Sequence, residues 1–143
     1  MAKKASQQGL TGLPLGGLDE IGLNLMVYEC DGDMILVDVG LTFPDEYAPG
    51  ADIVVPDVSY IRDNVERLKG IFITHAHDDH IGALPYLWEE LGKAPVFATK
   101  FTERVLTGKM EQFDLLPPEY NIHVTEEGER YYQLTLNDIS SRR

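Results

Sequence analysis

Three of the four histidines lie between positions 75 and 80, in His75-Ala76-His77-Asp78-Asp79-His80, one threonine after the apolar run Ile71-Phe72-Ile73. No other feature constrains the fold so tightly. A short, continuously apolar run reads as a strand covered on both faces. A loop dense in imidazole and carboxylate must then leave the end of that strand. On a helix, residues two apart point to nearly opposite sides, so His75 and His77 would not converge there. Leaving a strand, they can turn toward one ion while Asp79 and His80 diverge toward a neighbouring one. An exposed loop whose histidines bind nothing is the competing reading, and it accounts for one histidine better than for three at this spacing.

Imidazole and carboxylate together suit zinc, with manganese as the alternative; magnesium alone prefers oxygen ligands. Two divalent ions about 3.5–4 Å apart can polarise a scissile ester and lower the pKa of water toward about 7. In this arrangement His75 and His77 hold the first ion, and Asp79 and His80 hold the second. Asp79 is also placed to orient the attacking water or accept its proton. Asp78 breaks the ligand pattern and is read as surface or as support behind the ligands.

Elsewhere, short apolar runs alternate with amphipathic stretches, the pattern of a layered α/β domain with a mixed sheet flanked by helices. Asn24–Glu29 and Met34–Val37 read as strands joined by the turn Asp31-Gly32-Asp33. Ile53-Val54-Val55 reads as a further short strand. Asp57 or Ser59 is positioned to cap a helix carrying Ile61, Val65 and Leu68 on one face and ending before Gly70. Leu84, Leu87, Trp88 and Leu91 have helical spacing, with Pro85 tolerable only in the first turn and Gly92 as the stop. Pro95–Ala98 reads as a strand. Val105, Leu106, Met110 and Phe113 mark a helix ended by Pro117-Pro118. Ile122–Val124 and Tyr131–Leu136 read as strands, and the ending NDISSRR carries no pattern. Residues 1–9, MAKKASQQG, have no apolar segment behind their lysines and are expected to form a disordered tail, with a single domain over 10–143. No repeat or interdomain linker interrupts it.

Charge bears on the partner. Twelve basic against 24 acidic residues give a formal charge of −12, which argues against broad nonspecific nucleic-acid binding, since that depends on lysine and arginine. It leaves a nuclease open, because bound cations can dominate the field of a site. The single cysteine, Cys30, excludes an internal disulfide and fits a reducing compartment, so the cytoplasm is the default. In its strand-like setting Cys30 reads as a buried, inert thiol. No apolar run approaches the roughly 18 residues of a membrane span. Gly16-Gly17 lacks the lysine and hydroxyl of a phosphate-binding loop and reads as a strand-edge turn. His123 alternates with Ile122 and Val124 and reads as a solvated strand histidine.

The string THAHDDHIGALPYL resembles the signature of metallo-β-lactamase-fold hydrolases. Three further blocks resemble ribonuclease J: LPLGGLDEIGLN at Leu13–Asn24, ILVDVGLTFPDE at Ile35–Glu46 and DIVVPDVSYI at Asp52–Ile61. The similarity runs from about Leu13 to about Leu134, in the same order and spacing. By this resemblance the chain is the first half of a metallo-β-lactamase αββα sandwich. Asp38 matches the superfamily's first motif, an aspartate closing a strand beside the metal loop, with the work of positioning ligands rather than binding metal. From the residues alone, an aspartate capping the turn before Gly40 is an equal reading.

The resemblance further implies a ribonuclease with two zinc ions, acting on single-stranded RNA as a 5′-to-3′ exonuclease and an endonuclease. It also implies an inserted β-CASP domain and a C-terminal region that favours homo-oligomers. Family members complete their site with downstream histidines and an aspartate that have no counterpart before Arg143. The chain is therefore expected to be a shortened form with weak metal affinity and a tendency to self-associate. Two other readings stand beside it: a small-molecule hydrolase of the same fold, such as a lactonase or thioesterase, and a fragment that catalyses nothing.

Overall fold

The turn Asp31-Gly32 organises the first half of the sheet. The computed structural model describes residues 9–44, 50–115 and 122–125. Within it, strands β2 (Leu25–Cys30) and β3 (Asp33–Val37) pair antiparallel, with Tyr28 opposite Ile35. Asp31 and Gly32 between them take φ of 50° and 84°, as a two-residue hairpin of the mirror-image type requires. Strand β1 (Thr11–Gly16) adds antiparallel to β2. Its sequence conceals it, because Gly12, Pro14 and Gly16 are poor strand formers. Pro14 is tolerated because β1 is an edge strand. The register shifts between Pro14 and Gly16, and Gly17 turns the chain at φ 84°.

Strands β4 (Leu68–Phe72), β5 (Val96–Thr99) and β6 (Ile122–Thr125) run parallel to β3. Together they form a mixed six-stranded sheet in the order β1-β2-β3-β4-β5-β6. The fold class is α/β, as expected. Helix α1 (Ser59–Asp63) is shorter than its spacing implies. Val65–Arg67 tightens into a 3₁₀ turn, and Leu68 is drawn into β4 opposite Met34. Ile53–Val55 contributes one bridge, in which Val54 and Thr42 exchange backbone bonds of 2.8 and 3.0 Å. Helices α2 (Asp78–Ile81) and α3 (Leu84–Leu87) follow the loop; Pro85 sits in the first turn of α3, and Gly92 ends the segment at φ 64°. Helix α4 (Lys100–Glu111) buries Leu106 and Met110, whereas Phe113 lies beyond it and is 38% exposed. Tyr131–Leu136, the polar ending and residues 1–8 lie outside the described residues.

One sheet face carries the core. Val27, Leu36, Ile71 and Val96 stand in register across β2 to β5 and pack with Ile61, Leu84, Trp88, Leu91, Leu106 and Met110. The row on the opposite face runs Met26, Val37, Phe72, Phe97 and His123, with Phe72 and Phe97 stacked at 4.7 Å and His123 exposed beside Phe97. Cys30 ends β2 half-buried and is not in a disulfide.

Neither candidate takes the cap position of α1, which falls to Val58 without a side-chain capping bond; Asp57, one residue earlier, accepts the Ser59 N–H on its Oδ1 at 2.9 Å. That bond, then the Ser59 hydroxyl, holds the Asp57 carboxyl below the usual carboxylate range against a desolvation effect, with Arg62 adding to the lowering. A depressed folded-state value stabilises above the ordinary aspartate range, and that contribution is lost as pH falls through the folded value. Asp57→Ala is therefore expected to lower stability at neutral pH and to match the parent chain in acid. Urea unfolding at both pH values checks it.

Candidate metal centre

Strands β3 and β4 are parallel neighbours with Val37 opposite Phe72, so their carboxyl ends emerge side by side. Asp38 and Thr74 meet there although they are 36 positions apart in sequence. Loops at the carboxyl ends of parallel strands are where α/β sheets place their binding groups. The His75–His80 loop leaves this end of β4 and winds at once into α2, whose first turn His77 precedes. The His77 carbonyl accepts the N–H of His80 at 2.9 Å and of Ile81 at 3.0 Å.

Asp38 is 5% exposed and takes φ 63°, a left-handed conformation that costs a non-glycine residue about 1–2 kcal/mol and that aspartate tolerates better than most. Its carboxylate offsets that cost. Oδ1 accepts the Thr74 N–H at 2.8 Å; the Thr74 hydroxyl lies 3.0 Å from Oδ1 and 2.8 Å from Oδ2. Oδ2 also pairs with His80 Nδ1 at 2.7 Å. This leaves the other nitrogen of His80, Nε2, 3.5 Å from Asp79 Oδ2. These side-chain contacts run to Thr74 and to His80 of the loop.

The segment after β3 also clamps the loop by its backbone. Val39 N–H donates to the His80 carbonyl at 2.8 Å, Leu41 N–H to that of Asp78 at 3.1 Å, and Gly40 N–H to that of Asn24 at 2.9 Å. Asn24 closes the web from the other side. Its backbone N–H and its side-chain Nδ2 reach the Asp79 carbonyl at 3.2 and 3.0 Å, and Nδ2 lies 3.4 Å from His80 Nε2. Asp78 turns away to pair with Lys109 of α4 at 2.5 Å.

The rings of His75 and His77 are edge-on at 4.6 Å between centroids, and those of His75 and His80 are tilted at 4.0 Å. Among the described residues, no three His, Cys, Asp or Glu side chains converge into a ready-made coordination group. The donors therefore suit a divalent ion in type, but among the described residues they are not gathered in the number an ion needs. His75 lies beside both His77 and His80, and His80 Nε2 lies beside Asp79. Asn24, Thr74 and Gly40 were not singled out in the sequence as parts of this centre. Asn24 and Gly40 stand inside blocks that resemble ribonuclease J, and Thr74 immediately precedes the first ligand candidate.

The chain belongs to the metallo-β-lactamase superfamily, whose family profile matches residues 20–132. Within that class its resemblance to ribonuclease J is shown by curated relatives. Ribonuclease J of Synechocystis is 40% identical over 116 residues, covering 81% of this chain and 18% of that protein. Ribonuclease J 2 of Staphylococcus aureus (strain MRSA252) is 46% identical over 99 residues, 69% of this chain and 18% of that protein. Ribonuclease J2 of Bacillus subtilis is 42% identical over 111 residues, 78% of this chain and 20% of that protein. The chain thus spans about a fifth of the length of these relatives. A flavoprotein from Thermotoga maritima shares the fold at a TM-score of 0.50 and 21% identity, over 75% of this chain and 24% of that one. No described helix is long and apolar enough to cross a membrane.

Proposed function

We propose that the chain carries the metal loop of a ribonuclease J-type enzyme whose complete form hydrolyses single-stranded RNA, as a 5′-to-3′ exonuclease and an endonuclease, in the cytoplasm and as a homo-oligomer. The reading rests on one observation above the others. The buried Asp38 and the backbone of residues 39–41 hold the His75–His80 loop at the carboxyl ends of β3 and β4, where rigid support of ligands is worth most. His75 and His77 would hold one zinc ion, and Asp79 and His80 a second, with manganese as the alternative metal. When bound, such ions supply Lewis-acid polarisation of a phosphodiester and a lowered pKa for water. Asp79 orients the attacking water, and Asp38 sets the rings without touching the substrate.

Elemental analysis of the purified 143-residue chain, beside a His75→Ala, His77→Ala double variant, tests the reading. About two zinc ions per chain, lost in the variant, together with RNA cleavage that stops on chelation, support it. Little or no metal in either protein would mean that this chain carries the signature without the chemistry. Cleavage that survives both the variant and chelation would place the active site elsewhere.

A further inference from the structure

Thr74 stands between the anchoring carboxylate and the first ligand candidate. Its hydroxyl oxygen lies 2.8 Å from Asp38 Oδ2, 3.0 Å from Asp38 Oδ1 and 2.9 Å from His75 Nδ1. A hydroxyl has one proton to give and two lone pairs, and a carboxylate can only accept. The Thr74 proton therefore goes to Asp38, and His75 Nδ1 can join the contact only by donating its own proton to Oγ1. We infer that Thr74 is a positioning residue: it relays the acceptor character of Asp38 to His75, keeping the proton on Nδ1 and the lone pair on Nε2.

Asp38 does the same directly for His80. With Nδ1 at 2.7 Å from Oδ2, the proton sits on Nδ1 and the lone pair on Nε2. An independent contact agrees, since the Asn24 amide Nδ2, a donor, approaches His80 Nε2 at 3.4 Å. One buried carboxylate thus sets two rings, one in each proposed pair of ligands. Neutral imidazole can carry its proton on either nitrogen, and a ligand histidine must present a bare nitrogen to the ion, with the other held by a second partner. His75 and His80 are preset for this without metal, and Thr74 is what extends the device from one ring to both. Its purpose rests on the metal reading above; its hydrogen bonding does not.

Long-range ¹H–¹⁵N NMR of the metal-free chain at mildly alkaline pH, where imidazole is neutral, reads the proton position ring by ring. His75 and His80 are both expected in the Nδ1–H form. Thr74→Val, which keeps the Thr74 backbone N–H bonded to Asp38, is expected to release His75 into a mixture and leave His80 unchanged; Thr74→Ser is expected to restore the parent pattern. Zinc affinity, measured by competition with a chromophoric chelator, should fall about 10–100-fold in Thr74→Val and recover in Thr74→Ser. His75 in the Nε2–H form in the parent chain overturns the inference, and that measurement requires no variant to fold. An unchanged His75 in a folded Thr74→Val also overturns it. The expected proton positions in a chain that takes up no zinc support the Thr74 relay while removing the metal reading, so the two failures are distinguishable.

Discussion

Gly40→Ala is expected to prevent the chain from folding. A Cβ on Gly40 would lie 1.6 Å from the carbonyl oxygen of Asp79 and 2.2 Å from its carbonyl carbon. Both are backbone atoms, so no side chain can swing away to relieve the overlap. The backbone cannot retreat either. Val39 and Leu41 on either side are bonded to the carbonyls of His80 and Asp78, and Gly40 itself to that of Asn24. Separating residue 40 from Asp79 by the necessary ångström or more breaks several of these bonds at once and pulls the loop from Asp38. Losses above about 4–5 kcal/mol belong to such clashes, and a domain's whole stability is only about 5–15 kcal/mol. Circular dichroism on urea titration should show no cooperative transition for Gly40→Ala. Gly108→Ala is the control: its added Cβ meets nothing within 4 Å in the last turn of α4, and replacing a helical glycine by alanine should stabilise by up to about 1 kcal/mol. A Gly40→Ala chain that unfolds like its parent would refute the tight apposition of the two segments.

That apposition also marks the limit of what the sequence discloses. Features set by neighbouring residues were legible. The Asp31-Gly32 turn, the stop at Gly92 and the burial of Leu84, Leu87, Trp88 and Leu91 appear where local chemistry puts them, although α3 ends at Leu87 and β4 ends at Phe72, one residue before the end of the apolar run. Features set by distant partners were not. Leu68 has the spacing of a helix residue but joins β4, where it pairs opposite Met34 of β3. Strand β1 exists because β2 offers an edge, and its own glycines and proline argue against it. Ile53–Val55 has strand composition but finds a single bridge to Thr42. At the centre itself, the four ligand candidates are consecutive enough to stand out. Asn24 reaches Asp79 across 55 positions and Thr74 reaches Asp38 across 36, and no local pattern encodes such contacts.

Asp38→Asn separates positioning from folding, and it is expected to leave a folded chain in which His80 has lost its preset proton position. Asparagine tolerates the φ of 63° found at this residue, and it nearly matches aspartate in shape. Chemically it replaces one acceptor oxygen by an amide donor. If the remaining oxygen keeps the Thr74 N–H, the new NH₂ faces His80 Nδ1, which now donates at 2.7 Å. Two donors cannot share that contact, so His80 must move its proton to Nε2, the nitrogen that lies beside Asp79. Flipping the amide returns an oxygen to His80 but sets the NH₂ against the Thr74 N–H, leaving a donor unsatisfied at a cost of about 1–3 kcal/mol. Either way, Asp38→Asn keeps most of the fold and forfeits the preset ring. Zinc affinity is expected to fall about 10–100-fold. On the function proposed above, RNA cleavage by the complete form is expected to fall by up to about 10⁴, the size of effect seen when the carboxylate behind a catalytic histidine becomes an amide in serine proteases. Asp38→Ala should instead lose stability, since it strips partners from the Thr74 N–H and hydroxyl and from His80 together. Far-ultraviolet circular dichroism, elemental analysis and the proton position on His80 distinguish the cases. A folded Asp38→Asn chain with parental zinc affinity and His80 still protonated on Nδ1 would show that Asp38 anchors the backbone alone.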